Sequence, residues 1–212
     1  MPGYFNGIPV DAVVFYQQLA LDNSKEFWSA NKERYQRSVR EPVEMLVGEL
    51  EDQFGAAKIF RPNRDVRFSN DKSPYKTHQG AYVPAGQALG WYIEVSGDGA
   101  LTGGGFYHAE PTPLAALRRT IDEHGDELAE LVGELVAEGW QLRGETLKTA
   151  PRGFSADHPH IELLRHKTLS LSRFYGEDPV VATPNFAEIV RDDWASIRPL
   201  IMWLGEALAS EE

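Results

Sequence analysis

The chain has 212 residues and no cysteine, which removes disulfides, thiolate nucleophiles, thiolate zinc sites and iron–sulfur ligation together. Long apolar runs are missing too. They stop at five residues, as in Leu200-Ile201-Met202-Trp203-Leu204, where a bilayer crossing takes roughly 20. The opening Met-Pro-Gly-Tyr-Phe-Asn-Gly has neither a basic stretch nor an apolar one, so no signal peptide is expected and the cytoplasm is the expected address. Positive charge is scarce: 21 Lys and Arg stand against 32 Asp and Glu, a net −11. That balance opposes generic binding to nucleic acid or anionic membrane. Several signatures are absent as well. No G-x-G-x-x-G, Gly-Lys-Ser/Thr, H-E-x-x-H or Gly-x-Ser-x-Gly occurs, so nucleotide binding by the Rossmann or P-loop route is not expected, and Ser69, Ser73 and Ser155 lack a nucleophile's context.

What is present is an ordinary globular composition, 42% hydrophobic and 25% charged, at a length that suits one domain over residues 1–212. The charge is segregated along the chain. Residues 58–78 carry Lys58, Arg61, Arg64, Arg67, Lys72 and Lys76 against two carboxylates. Residues 143–173 carry Arg143, Lys148, Arg152, Arg165, Lys167 and Arg173 against three. The remainder is strongly acidic.

Apolar spacing predicts a helix over Val10–Leu21 and a second opened by Asn23 with Glu26 as its reciprocal acid. The second carries the stripe Tyr35, Val39, Val43, Leu46, Leu50 and Phe54, with a kink or re-start at Pro42 and a stop at Gly55. The period then falls to two. Asp65–Ser69 reads as a strand burying Val66 and Phe68. Trp91, Ile93 and Val95 read as another, turning at Gly97-Asp98-Gly99 and returning through Ala100–Tyr107. Thr112-Pro113 opens two short helices broken near Gly125, Thr168–Tyr175 reads as a strand, and Thr183-Pro184 opens a final helix. The order predicts an α+β fold, an antiparallel sheet flanked by N-terminal and C-terminal helices.

Chemistry concentrates in two stretches. In the first, Arg64, Arg67, Lys72, Ser73, Tyr75 and Lys76 offer guanidinium, ammonium and hydroxyl groups of the kind that hold phosphate or carboxylate, with Asp71 and His78 as proton-transfer candidates. Like charge in such a cluster lowers a lysine's pKa. The competing reading is a surface ion-pair network in which Asp65 and Asp71 satisfy the cations. In the second stretch, Lys148 and Arg152 have no local partner. Asp157 and His158 either cap a short helix beginning at Pro159 or form a base with its orienter. His108-Ala-Glu110 and His158-Pro-His160 invite a metal reading, opposed by the positive surroundings; no metal and no cofactor is expected. All five tryptophans are expected in the core, whereas Tyr75 and Tyr107 flank polar loops and suit ring stacking.

The run Arg67-Phe-Ser-Asn-Asp-Lys-Ser-Pro-Tyr-Lys-Thr-His78 resembles the hallmark of the domain-of-unknown-function 2461 family of conserved hypothetical proteins. Asp22–Lys32, the triple glycine leading to Gly105-Phe-Tyr107, and Leu147-Lys-Thr-Ala-Pro-Arg-Gly-Phe-Ser-Ala-Asp-His-Pro159 extend the resemblance in order over nearly the whole chain. The family pattern usually has lysine where this chain has Arg152, an exchange that keeps the charge and changes the donor geometry. The resemblance implies a single-domain bacterial-type protein and supplies no activity, cofactor or catalytic residue.

Three functions compete. The first is an enzyme or binding domain for a small anionic, possibly phosphorylated, ligand. In it the Arg67–His78 and Lys148–His158 loops line a cleft, Gly103-Gly104-Gly105 admit a ligand to the backbone, and Asp71, His78 and His158 move protons. A sheet bulge accounts for those glycines equally well. The second is a nucleic-acid module, disfavoured by the acidic remainder. The third is a non-catalytic structural or regulatory partner protein whose acidic helices form the interface and whose amphipathic C-terminal helix dimerises, a stripe that packing within the domain explains equally well.

Overall fold

The computed structural model describes residues 4–67, 71–107 and 110–209. Helices α1 (Val10–Leu21), α2 (Lys25–Tyr35) and α3 (Glu41–Phe54) come first, with a π-helical turn over Gln36–Arg40 between the last two. Strands β1 (Lys58–Ile59), β2 (His78–Gly86), β3 (Leu89–Ser96) and β4 (Gly99–Phe106) follow. Next come α4 (Pro111–Ala137), β5 (Gln141–Arg143), α5 (Ile161–Leu164) and β6 (Leu169–Gly176). A 3-10 turn over Pro179–Ala182, α6 (Phe186–Ser196) and α7 (Arg198–Ala209) complete the chain. The strands form one antiparallel sheet in the order β1-β2-β3-β4-β6-β5, so the fold is α+β as expected. Its edge registers pair Lys58 with Tyr82 and Gln141 with Ser172. Among the described residues no helix is long and apolar enough to cross a membrane.

The contacts divide into two compact units. The first comprises Met1–Val83, Tyr92–Thr102 and Phe174–Asp192. Its core joins Phe15 and Leu19 of α1 and Val43, Leu46 and Leu50 of α3 to Ala81, Ile93 and Val95 of the sheet, all buried. The Phe15 ring meets Tyr16, Phe27, Trp28 and Tyr35 at 5.2–6.1 Å between centroids. Strand β3 alternates as its sequence predicts, Ile93 and Val95 buried and Tyr92, Glu94 and Ser96 half-exposed. The turn at Gly97-Asp98 needs positive φ only at Gly99 (+112°), where a Cβ would lie 1.9 Å from the Gly176 carbonyl oxygen.

The second unit comprises Pro84–Trp91, Gly103–Arg173 and Asp193–Glu212. Leu117, Ile121 and Leu128 of α4 and Leu200 and Leu204 of α7 are buried, with Leu169 and Leu171 of β6 in the same core. Helix α4 is one run with a break at His124 (φ −130°, ψ 25°), one residue before the expected Gly125. Gly125 is needed there because a Cβ would sit 2.4 Å from the His160 ring.

Four expectations are corrected. Asp65–Arg67 is a loop, not a strand; the Asp65 carboxylate accepts the Arg67 backbone N–H at 3.2 Å, a local bond that competes with sheet pairing. Val66 is half-exposed, and Phe68 and Ser69 lie outside the described residues. Ser24, not Asn23, caps α2, its hydroxyl accepting the Phe27 N–H at 3.1 Å. The short helix expected at Pro159 begins at Ile161. The final helix is two, because Pro199 belongs in the first turn of a new helix. The Pro42 re-start is present as the π turn that precedes it.

Candidate functional site

The first basic segment is tied at its base. The Arg64 N–H donates to the Pro74 carbonyl at 2.9 Å and the Lys76 N–H to the Pro62 carbonyl at 2.8 Å, while Asn63 and Tyr75 form a bridge between them. Asn23, freed from capping, holds Tyr75 from the other side through two bonds of 3.0 Å to its backbone. The Tyr75 ring is buried and stacks on Trp28 at 4.3 Å and 11°. This fixes residues 61–64 against 74–76.

Beyond that base the charges pair locally. Arg64 meets Asp71 at 2.9 Å, and Arg67 meets Asp65 at 2.6 Å with its own side chain 75% exposed. Asp71 also accepts the Ser73 N–H and hydroxyl at 2.9 and 2.7 Å. Lys72 donates to the Val66 carbonyl at 2.8 Å. Hydrogen bonds from Arg67 hold the Asp65 carboxyl below its usual range, and bonds from Ser73, followed by the Arg64 charge, do the same for Asp71. The ion-pair network weighed above is therefore present.

It does not absorb Lys76. That ammonium lies 5.0 Å from the Phe60 ring centroid. Burial, and after it the charges of Arg61 and Arg64, push its pKa down from the ordinary lysine value. Two residues on, His78 Nε2 lies 3.8 Å from a Glu94 carboxylate oxygen, which accepts the Tyr92 hydroxyl at 2.5 Å. Gly80 makes room for this arrangement, since a Cβ there would lie 2.4 Å from the Tyr92 oxygen. Alongside, a groove of about 540 Å³ runs between α2 and the loop at Pro62-Asn63, walled by Trp28, Tyr35 and Gln36 and rimmed by Lys32 and Glu33.

In the second unit the cations are mostly spent on structure. Arg165 pairs with Glu162 at 2.8 Å and Lys167 with Glu145 at 2.7 Å. Arg173 stacks 4.6 Å over Trp140, bonds the Glu138 carbonyl that ends α4, and pairs with the buried Asp193. Lys148 and Arg152 are exposed. His158 does meet a carboxylate, but it is Asp122 of α4 at 2.9 Å, not Asp157. Its Nδ1 accepts the His160 N–H at 3.0 Å. Both ring nitrogens are thereby engaged, and neither expected role is met: the N-cap of α5 is His160, with no side-chain capping bond. His160 reaches Asp126 at 3.1 Å.

The triple glycine serves close packing within this unit. A Cβ on Gly103 would lie 2.4 Å from the Leu171 carbonyl oxygen, on Gly104 2.6 Å from Ile197, and on Gly105 2.4 Å from the Leu169 carbonyl oxygen. No group of three or more metal-ligating side chains occurs among the described residues; His108 lies outside them.

The family model described as "Conserved hypothetical protein (DUF2461)" matches residues 11–203. The chain belongs to the DUF2461 family. No curated protein and no solved structure matches it. Within the matched range of this DUF2461 chain, residues 71–77 lead into β2, which opens on His78. Sequence reasoning missed Tyr92, Glu94 and Asp122. The period-2 pattern of β3 puts Tyr92 and Glu94 on one face, which was readable; their meeting with His78 was not. It also missed the exposure of Trp28, which is only half-buried, as is Trp203, whereas Trp91, Trp140 and Trp194 are core.

Proposed function

We propose that the first unit of this DUF2461 protein binds a small anionic ligand beside Lys76, with Arg61 and Arg64 completing the charge. The observation that carries the reading is the crowding itself. Arg61 and Arg64 both bear on the partly buried Lys76, while the two carboxylates nearby are already committed, Asp71 to Arg64 and Ser73 and Asp65 to Arg67. Crowded, partly desolvated positive charge costs stability in the free protein, and an arriving phosphate or carboxylate relieves it. Arg67, Lys72 and Ser73 form the rim, and Asp71 positions Arg64.

His78 is the proton-transfer group of this proposal. The Glu94 carboxylate lies 3.8 Å from its Nε2, and the Tyr92 hydroxyl donates to that carboxylate and orients it. Lys148, Arg152 and His158 sit in the other unit and belong to the proposal only as a second anion-attracting surface.

Thermal unfolding with inorganic phosphate, sugar phosphates and small carboxylates tests the reading. A ligand at about 100 times its Kd adds roughly 2.7 kcal/mol, several degrees in a protein of this size. A rise in the wild type that Lys76→Met loses supports the site. A flat response across the panel removes it.

A further inference from the structure

The groove beside the cation cluster has chemistry that an isolated anion would not use. We infer that it takes a planar ring carried by the same anionic ligand, so that the ligand class is an aryl or nucleoside phosphate. The inference rests on the anion site proposed above and adds the second half of the ligand.

Three observations support it. The groove and the cations share one short piece of backbone: Pro62 and Asn63 line the groove, Arg61 and Arg64 flank them in sequence, and the Lys76 N–H is bonded to the Pro62 carbonyl at 2.8 Å. The inferred ligand spans from Lys76 across this piece of backbone to the groove. The wall is aromatic, the half-buried Trp28 with the Tyr35 ring 4.8 Å away, and its volume of about 540 Å³ exceeds what phosphate alone fills. Every base or aryl ring has a π-face that such a wall attracts. The rim is polar and unspent, since Lys32, Glu33 and Asn63 have no ion pair or side-chain hydrogen bond to another described residue. An acceptor, a cation and an amide are what the edge of a heterocycle engages.

The backbone adds a fourth point. The π turn begins at Gln36, in the groove wall, and π turns are costly departures from the α-helix that occur often at functional sites. Here it follows Tyr35, whose hydroxyl is anchored by Gln79 at 2.5 Å, and so keeps that ring in the wall.

The test is calorimetric titration of the full chain with inorganic phosphate, ribose 5-phosphate, phenyl phosphate and adenosine 5′-monophosphate, with tryptophan fluorescence followed in parallel. Ring-bearing phosphates should bind at least about tenfold tighter than ribose 5-phosphate and quench the emission. Adenosine monophosphate exceeding phenyl phosphate would mark a nucleobase edge read by the rim; equality would mark a ring held by stacking. Trp28→Leu should erase the ring preference. Because that side chain also packs on Tyr75, Asn63→Trp provides an independent check, filling the groove from an exposed loop position. Both variants should still bind phosphate, and Lys76→Met should weaken all four ligands. Ribose 5-phosphate binding as tightly as adenosine monophosphate would overturn the ring inference while the anion site stands. Binding of none of the four would remove both.

Discussion

Two segments of this chain have nearly the same excess of positive charge, and the structure uses them differently. In residues 143–173 three of the six cations are tied down, Arg165 to Glu162, Lys167 to Glu145, and Arg173 to Asp193, Trp140 and the end of α4, and the exposed Lys148 and Arg152 stand apart from them. In residues 58–78 the outer cations pair with Asp65 and Asp71, but Lys76 stands with Arg61 and Arg64 and an aromatic ring and, among the described residues, has no ion pair to a carboxylate. Net charge does not separate a scaffold from a site. Crowding of like charge against a groove does, because folding gains nothing from it and a ligand does.

The largest expected effect lies on the structural side. Arg173→Ala removes one partner of the buried Asp193 and a terminal bond of α4, and should cost roughly 3 kcal/mol in denaturant unfolding. A loss below about 1 kcal/mol would make this segment as free as the other and dissolve the contrast. Lys76→Met comes next and should remove the anion-induced rise in midpoint, about 2.7 kcal/mol at saturating ligand. Its own stability should stay within about 1 kcal/mol of wild type, since a crowded ammonium is exchanged for an apolar chain over Phe60. An unfolded Lys76→Met would show the residue to be structural.

The double variant Lys148→Ala, Arg152→Ala sharpens the comparison. Both residues are exposed, so stability should move by less than about 0.5 kcal/mol and the phosphate response should be unchanged. A lost response there, with a retained one in Lys76→Met, would reverse the assignment of roles. The smallest effect belongs to Arg67→Ala. Its pair with Asp65 is solvent-exposed and adds little to stability; phosphate affinity should fall only severalfold, as for a rim cation.

Much of the frame was legible in the sequence because its signals are local. Val10–Leu21 follows from apolar spacing, and β3 follows from Trp91, Ile93 and Val95 alternating with polar neighbours. Strand β2 was hidden, because His-Gln-Gly-Ala-Tyr-Val-Pro-Ala-Gly mixes glycine, proline and a buried glutamine, and Gln79 belongs inside by virtue of Tyr35 and the Phe60 and Gly80 carbonyls. The site was legible as a composition and not as a geometry. Asn23 resembles a cap until Tyr75, 52 residues away, claims its amide. His158 resembles half of a pair with Asp157 until Asp122, 36 residues upstream, takes the ring. Glu94 gave no sign of its proximity to His78. Such pairings are set by the sheet and by α4, and no local window contains them.

The most direct test of the account is the titration of the Lys76 ammonium by NMR, with and without phosphate. Free, it should titrate below 10.5, because burial and the neighbouring Arg61 and Arg64 disfavour its charged form. Phosphate should move that titration upward, since the anion stabilises the ammonium, and by linkage phosphate binding should weaken as pH rises through the depressed value. A Lys76 that titrates as an ordinary exposed lysine and is indifferent to phosphate would contradict the account.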